Sequence, residues 1–358
     1  MINVTKTYLP NKKQYKKYVD QIYDNGWITN RGPLVKLLEK KLAKYLGVKN
    51  IVLVANGTVA LEIAYRALNI KGDVITSPFS FVATTSSLVT NGLNPVFADI
   101  DPNTFNIDTA NIRNLITKDT SAIVPVHVFS NACEIEKIDS IAKQNNLKVI
   151  YDAAHSFNVK YKGASILTYG DMSAISFHAT KAFHCIEGGA LIVNNDELVE
   201  KVRYLINFGI KNTEEIPELG TNAKMNEFEA AMGLCVLNDI QELNKKRKKI
   251  YCLYTQELEE YVTFQKMNNN SIQNHSYFPI ILKNTKQLKM VEDSLKKEDI
   301  YPRRYFYPSL DTLKYIKPKQ YCEVSRDIAS KILCLPMYPE LETMNVKKIC
   351  RIIIENLC

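Results

Sequence analysis

A chain of 358 residues exceeds the usual size of a single hydrophobic core, so two unequal domains are expected. Hydrophobic residues make up 46% and charged residues 23%, which excludes a disordered or collagen-like chain and fits a folded globular one. The net charge of +8 is mostly dispersed lysine, and its one dense cluster, NKKRKKIY at 244–251, reads as a solvated helix face without the aromatic–basic signature of a nucleic-acid binder.

The first residues, MINVTKTYLPNKK, contain no apolar run of the kind a signal peptide carries, and no later run is long enough to span a bilayer. Eight cysteines are scattered without a CxxC pair, which argues against a zinc ribbon and fits a reducing compartment. A soluble cytoplasmic protein, with no membrane or nucleic-acid partner, is the expectation. From about residue 50 to 195, short apolar runs alternate with amphipathic stretches. IVLVA (51–55) precedes a helical pattern in which Ala60, Ile63, Ala64, Ala67 and Leu68 share one face. DVITS (73–77) precedes a second helix candidate through VATTSSLVTNG. NPVFADID, SAIVPVHVF, LKVIYDAA, SAISFHA and GGALIVNN complete a set of about seven strands. Such alternation predicts an α/β fold with a mostly parallel sheet covered on both faces. Residues 224–263 read as one or two long helices. Beyond them lie a strand at 277–282 and helices near 286–297, 325–333 and 344–356. The expected division is a large domain over residues 1–250, N-terminal segment included, and a small α+β domain over 251–358.

Ligands of parallel sheets collect beyond the carboxyl ends of the strands. There, Asn56-Gly57-Thr58 opens a helix whose free N–H groups and dipole make a phosphate cradle, although a plain capped turn has the same sequence. Asp152 ends the run LKVIYD. A buried carboxylate needs a partner, so it either caps the next turn or holds a cationic ring nitrogen. Lys181 lies five residues beyond Ser176 and shortly before Gly188-Gly189. A lysine is nucleophilic only when neutral, which desolvation at a strand end provides; a solvated loop lysine is the alternative. Phe81, at a helix start, either stacks on a flat ring or packs in the core. His155, His178 and His184 match no zinc spacing, so no metal site is expected, and His184 is expected on a pocket wall. The set asks for one ligand: a planar cationic heteroaromatic with a phosphate and an aldehyde. Pyridoxal 5′-phosphate has these features. No G-x-G-x-x-G follows any strand, which disfavours a dinucleotide-dependent oxidoreductase.

The ordered segments NGTVAL, PFSFVATTSS, PVFADID, YDAAHS, SFHATKAFHCIEGGA and LGTNAKMNEFEAAMG strongly resemble the pyridoxal-phosphate sugar aminotransferases of the DegT/DnrJ/EryC1/StrS family, essentially end to end. The resemblance implies an aspartate-aminotransferase-like fold (fold type I), with a mixed, mostly parallel central sheet, and a homodimer with shared active sites. It implies that Lys181 carries the cofactor covalently and then moves the proton, that Asp152 pairs with the pyridine nitrogen, and that His155 lies near the ring hydroxyl. Phe81 would stack on the ring, and Gly57, Thr58 and Ser176 would hold the phosphate, which Asn222 would reach from the partner subunit. A subgroup with histidine in place of the lysine acts as dehydratases; Lys181 argues against that chemistry here.

MINVTKTYLPNKKQY, FHATKAFHCIEGG and YPRRYFYPSL resemble the branch acting on dTDP-4-keto-6-deoxyglucose. That branch uses L-glutamate, releases 2-oxoglutarate and makes dTDP-4-amino-4,6-dideoxyglucose, a precursor for a surface polysaccharide. The segment RRYFYP is shared with enzymes that act on the 3-keto isomer, so the aminated carbon stays open, as does a UDP- or GDP-linked sugar. Arg303, Arg304, Tyr305 and Tyr307 would contact the diphosphate or the sugar, or else pack the domain junction. Arg31, in TNRGP, departs from the family pattern and has no role assigned by it.

Overall fold

The computed structural model describes residues 1–358. Seven strands form the central sheet: β1 (Ile51–Val54), β2 (Asp73–Thr76), β3 (Asn94–Phe97), β4 (Thr120–Val124), β5 (Lys148–Asp152), β6 (Met172–Ser176) and β7 (Gly189–Val193). Their spatial order is β1-β7-β6-β5-β4-β2-β3. Only β7 runs antiparallel to its neighbours, β1 and β6; the remaining pairs are parallel. These are the seven apolar runs of the sequence, and their lack of polar alternation has a direct cause. Successive side chains of a strand point to opposite faces. Ile51 and Leu53 enter one core while Val52 and Val54 enter another, so both faces must be apolar.

Helices cover those faces. α1 (Pro33–Leu46) and α2 (Gly57–Ala67) place Leu38 and Leu42, and Ala60 and Ala64, respectively, in the two cores. α3 (Val82–Thr90) follows β2. α1 begins at Gly32, which has no side chain to cap the first N–H groups. Glu227, fully buried, supplies the cap from a distance: its carboxylate accepts from Leu34 N at 2.7 Å and Val35 N at 2.9 Å. A Cβ at Gly32 would meet Trp27 at 2.4 Å and Glu227 at 2.7 Å, so only glycine fits beside this cap. Glu227→Ala strands two buried donors and is expected to lower stability by roughly 3 kcal/mol, read from urea unfolding.

α4 (Glu227–Leu258) is one continuous helix of 32 residues, started by a capping box between Asn226 and Glu229. Its residues up to Leu243 pack in the core beneath the large sheet. Ile250, Tyr254 and Leu258 pack in a separate core with Phe278, Val291 and Ile349. The helix therefore spans the region around residue 250 without a break. The second core lies under the antiparallel strands Thr263–Phe264, Pro279–Ile281 and Ile332–Cys334 and the helices Thr285–Lys297 and Thr343–Leu357. The N-terminal residues Ile2–Asn3 pair in parallel with Ile300–Tyr301, and Ile2 packs on this second core. The first residues thus join the C-terminal unit, a pairing that no local pattern announces. An aromatic cluster joins the two units: Phe79, Phe105 and Phe129 from one side meet Phe306 from the other. No helix is long and apolar enough to cross a membrane, and all eight cysteines are free thiols.

Candidate active site

All sheet strands but β7 end at one edge, and β7 starts there. This edge gathers segments that are far apart in sequence around a cavity of about 260 Å³. Gly57, Thr58, Phe81, Asp152, His155, Ser176 and Lys181 all line it, as do Arg303 and Tyr305 from the C-terminal unit.

The Gly57–Thr58 end of α2 is built as a cradle. Asn56 caps the helix by accepting from Val59 N at 2.9 Å, and the first N–H groups, of Gly57 and Thr58, have no partner within the helix. Two close approaches shape the turn. A Cβ at Gly57 would lie 2.9 Å from the Ser176 Cβ, and one at Gly189 would lie 2.6 Å from the Asn56 carbonyl carbon. Glycine at 189 lets β7 pass directly beneath the turn, with Gly189 paired to Val54 and Ser176. Free N–H groups, the Ser176 hydroxyl and the helix dipole suit a phosphate.

Asp152 ends β5 and is 7% exposed. Its Oδ2 accepts from Thr84 Oγ1 at 2.7 Å and its Oδ1 from Ala154 N at 3.1 Å. Because Thr84 donates to the carboxylate, the Ser80 hydroxyl, 2.6 Å away, donates to Thr84. Burial raises the Asp152 pKa, against which Thr84, the Ala154 N–H and Lys181 act. A fixed, desolvated carboxylate of this kind is suited to a cationic partner inside the cavity.

Lys181 follows β6 on the loop that leads to β7, and its backbone N donates to His178 O at 2.9 Å. Burial lowers its pKa to about 8, opposed by the charge of Asp152. Its Nζ donates to Tyr277 Oη at 3.2 Å. At pH 7 roughly a tenth of this amine is then uncharged, several hundredfold more than for a free lysine, which favours covalent chemistry. In the cofactor-free protein, acetic anhydride labelling of Lys181 is expected to have its midpoint at about pH 8, against about 10.4 for a free lysine. Peptide mass spectrometry over a pH series checks this.

His155 packs beside two rings nearly parallel to its own, Phe306 at 5.6 Å and 4° and Phe129 at 6.1 Å and 5°, which are themselves 5.5 Å apart. Its Nδ1 accepts from Phe129 N at 3.3 Å. Burial, and then the charge of Lys181, hold it well below the usual histidine range. The ring is therefore neutral with its proton on Nε2, a hydrogen-bond donor. Phe81 is half exposed at the start of α3, a flat face on the cavity wall. Cradle, carboxylate, amine, donor and flat ring thus fit pyridoxal 5′-phosphate in size, charge and hydrogen-bonding sense.

Other expected site residues lie elsewhere. His184 is not on the cavity wall. It is 2% exposed, and its Nε2 donates to the Tyr8 carbonyl at 2.7 Å, because the loop turns the ring toward the N-terminal segment. Arg304 donates to the carbonyls of Ala329 at 3.1 Å and Ser330 at 3.3 Å and stacks on Tyr307 at 3.5 Å; both side chains pack outside the cavity. Asn222, expected to act in a partner's site rather than its own, bridges to Asn207 outside the cavity of its own chain. His178, half exposed, has its Nε2 3.4 Å from Glu187 at the cavity mouth, and no group of histidine, cysteine or carboxylate side chains is arranged to hold a metal. Arg31 donates from Nε and Nη2 to Glu39 at 3.1 and 2.9 Å, a carboxylate shared with Arg203, and so ties the loop before α1 to that helix. Thr84, Tyr277 and Glu187 are site residues that pattern reading missed. Thr84 is 68 residues and Tyr277 96 residues from its partner, so only the fold brings them together.

The model of the DegT/DnrJ/EryC1/StrS aminotransferase family matches residues 10–354. The chain is 44% identical to a dTDP-4-amino-4,6-dideoxy-D-glucose transaminase of Shigella dysenteriae, covering 96% of this chain and 95% of that protein. An enzyme of the same name from Escherichia coli is 39% identical, with 99% and 98% covered. The crystal structure of DesI with its TDP-sugar product superimposes with a TM-score of 0.94 at 30% identity, covering 100% of this chain and 92% of that one. The chain belongs to the DegT/DnrJ/EryC1/StrS aminotransferase family and is a pyridoxal-phosphate-dependent sugar transaminase.

Proposed function

We propose that the protein moves the amino group of L-glutamate onto C4 of dTDP-4-keto-6-deoxy-D-glucose, giving 2-oxoglutarate and dTDP-4-amino-4,6-dideoxy-D-glucose. The observation that carries the chemistry is the convergence of Lys181, Asp152 and the Gly57–Thr58 cradle on one cavity. The choice of sugar is supported by the two transaminases of that name, which are similar over nearly their full lengths.

Pyridoxal 5′-phosphate, when bound, supplies an electron-withdrawing ring and a carbon that takes up and passes on the amino group. The residues around it divide the remaining work. The N–H groups of Gly57 and Thr58 and the Ser176 hydroxyl would hold the phosphate. Asp152, oriented by Thr84 and Ala154, would keep the ring nitrogen protonated. His155 would donate from Nε2 to the ring hydroxyl, and Phe81 would cover the ring face. Lys181 Nζ would hold the cofactor, and as the one amine on the cavity wall it would take the proton from the α-carbon of glutamate and, in the second half-reaction, deliver a proton to C4 of the sugar. Glu187 and His178 at the mouth offer an acceptor and a donor for sugar hydroxyls.

The functional unit in this reading is a homodimer. Asn222 sits outside its own cavity on a surface that exposes Phe208, Ile216 and Leu219, an arrangement suited to reaching a partner's phosphate across an apolar contact. The free thiols suit a cytoplasmic enzyme, and the amine would supply a deoxyamino sugar for a surface polysaccharide.

The test is incubation of the holoenzyme with glutamate and, separately, the 4-keto and 3-keto dTDP-sugars and GDP-4-keto-6-deoxymannose, with the aminated carbon located by NMR. Amination at C4 of the dTDP-glucose derivative supports the proposal. Preference for the 3-keto isomer or the GDP sugar overturns it.

A further inference from the structure

The basic run at 244–251 contains one charge that is not solvated. Lys245, Lys246, Lys248 and Lys249 are exposed, but Arg247, in their midst, is 5% exposed. Helical period explains the difference. Arg247 lies four residues after Leu243 and three before Ile250, so it shares their inward face while the lysines turn outward. It stands where α4 leaves the core of the large sheet, which Leu243 enters, for the second core, which Ile250 enters.

Arg31, Arg203 and Arg326 each pair with a carboxylate, whereas Arg247 makes no ion pair. Its Nη2 donates to the Ala182 carbonyl at 2.9 Å and its Nη1 to Asn244 Oδ1 at 3.2 Å. Burial lowers its pKa to about 10, opposed by the charge of Glu340, so the group stays cationic at neutral pH. A buried cation without a carboxylate is costly. The carbonyl it reaches belongs to the residue directly after Lys181, and a charged donor makes a hydrogen bond about twice as strong as a neutral one.

Little else ties that loop to its surroundings. Lys181 N to His178 O and Ile186 N to His184 Nδ1 are bonds within the loop. Besides the packing of Phe183 and Cys185 in the sheet core, two hydrogen bonds hold its frame from other segments. One is Arg247 to Ala182 O; the other is His184 Nε2 to Tyr8 O at 2.7 Å. Tyr8 is itself fixed on α4, its hydroxyl donating to Asp239 at 2.9 Å. Both ties therefore lead back to residues 239–247 of α4, and the arginine's falls one peptide from the reactive lysine.

We infer that Arg247 is a positioning residue for transamination: through the Ala182 carbonyl it holds the loop that presents Lys181 to the cavity, an assignment that rests on the role proposed above for that lysine. Loss of the bond leaves a buried carbonyl without its donor, and the loop regains one only by moving toward water. Lys181 then loses both its desolvation and its aim. A displacement of about 1 Å in a catalytic group costs on the order of 10²-fold in rate.

The test compares Arg247→Met, Arg247→Lys and Leu243→Ala. The last removes core packing one turn away and no hydrogen bond of the loop. In the cofactor-free protein, the midpoint for acetic anhydride labelling of Lys181, about pH 8 in the wild type, reports the setting of the amine without any turnover. It is expected to rise by roughly one unit or more in Arg247→Met, by less in Arg247→Lys, and not at all in Leu243→Ala. In the Arg247→Met holoenzyme, kcat is expected to fall roughly 10- to 100-fold, with KM for glutamate and for the sugar nucleotide changed less than about threefold, because one amine serves both halves. A wild-type midpoint in Arg247→Met or, should that variant not fold, in Arg247→Lys overturns the assignment. So does an equal shift in Leu243→Ala, which would make the effect one of packing, or a loss carried by KM alone. Should borohydride fail to label Lys181 in the wild-type holoenzyme, the mechanism proposed above falls, while the cofactor-free midpoints still decide whether Arg247 holds the loop.

Discussion

Lys181→Ala is expected to abolish transamination, with a fall of roughly 10⁴-fold or more, because in the proposed mechanism one amine would serve as both the covalent anchor and the proton carrier. Two measurements separate this from a folding defect. The visible band of the protonated imine should vanish while the far-UV dichroism is unchanged. Borohydride reduction followed by peptide mapping should label Lys181 in the wild type and nothing in the variant. Cofactor is still expected to bind through the cradle at Gly57, Thr58 and Ser176, so equilibrium dialysis should show weakened rather than absent binding. A variant that keeps more than about a hundredth of wild-type turnover would place the proton-transferring base elsewhere. The local setting makes that outcome unexpected: Lys181 is the only lysine on the cavity wall, and burial already lowers its pKa to about 8.

Asp152→Asn is expected to cost roughly 10²- to 10³-fold in kcat, since a neutral amide no longer keeps the ring nitrogen charged. The variant should retain the fold: asparagine occupies nearly the same volume and can still accept from Thr84 or Ala154. A second readout follows from the pKa of Asp152 in the cofactor-free protein. Burial raises it above the ordinary carboxylate value. A carboxyl whose folded pKa is raised contributes stability that is fully present below its unfolded pKa and is lost as pH rises through the folded one. Cofactor-free wild type should therefore lose stability as pH climbs above the ordinary carboxylate range, and Asp152→Asn should lack that component. Bound cofactor should reverse the trend in the wild type alone, because the cationic ring then compensates the buried charge. Identical pH–stability curves for the two cofactor-free proteins would show that Asp152 is not the strained anion described above.

The positions of individual groups show which parts of this site the sequence could carry. β1 and α2 are legible because a continuous apolar run followed by Asn-Gly-Thr is a local signal, and the cradle lies within a few residues of it. Asp152 and Lys181 are legible for the same reason: each follows an apolar strand directly, so the strand's own direction delivers it to the edge. The seven strands show no polar alternation because both faces are covered, and that covering is what made the sheet recognisable as mostly parallel.

Long-range pairings were not legible. Thr84 finds Asp152, Tyr277 finds Lys181 and Glu227 finds the start of α1 across 68, 96 and 193 residues. His184 and Lys181 stand three residues apart in one motif, yet the loop turns the histidine toward Tyr8 and away from the cavity. Arg303 and Arg304 are adjacent, and the strand pairing at Cys334 leaves one on the cavity wall and the other packed on the carbonyls of Ala329 and Ser330. By itself, then, the sequence determined the layered fold and brought Lys181, Asp152 and the Gly57–Thr58 turn to the sheet edge, because each directly follows an apolar strand. Only the tertiary structure decided which neighbouring side chains face the cavity and which distant ones orient the reactive groups, because those choices depend on how separate segments pack and carry no signature in the local pattern.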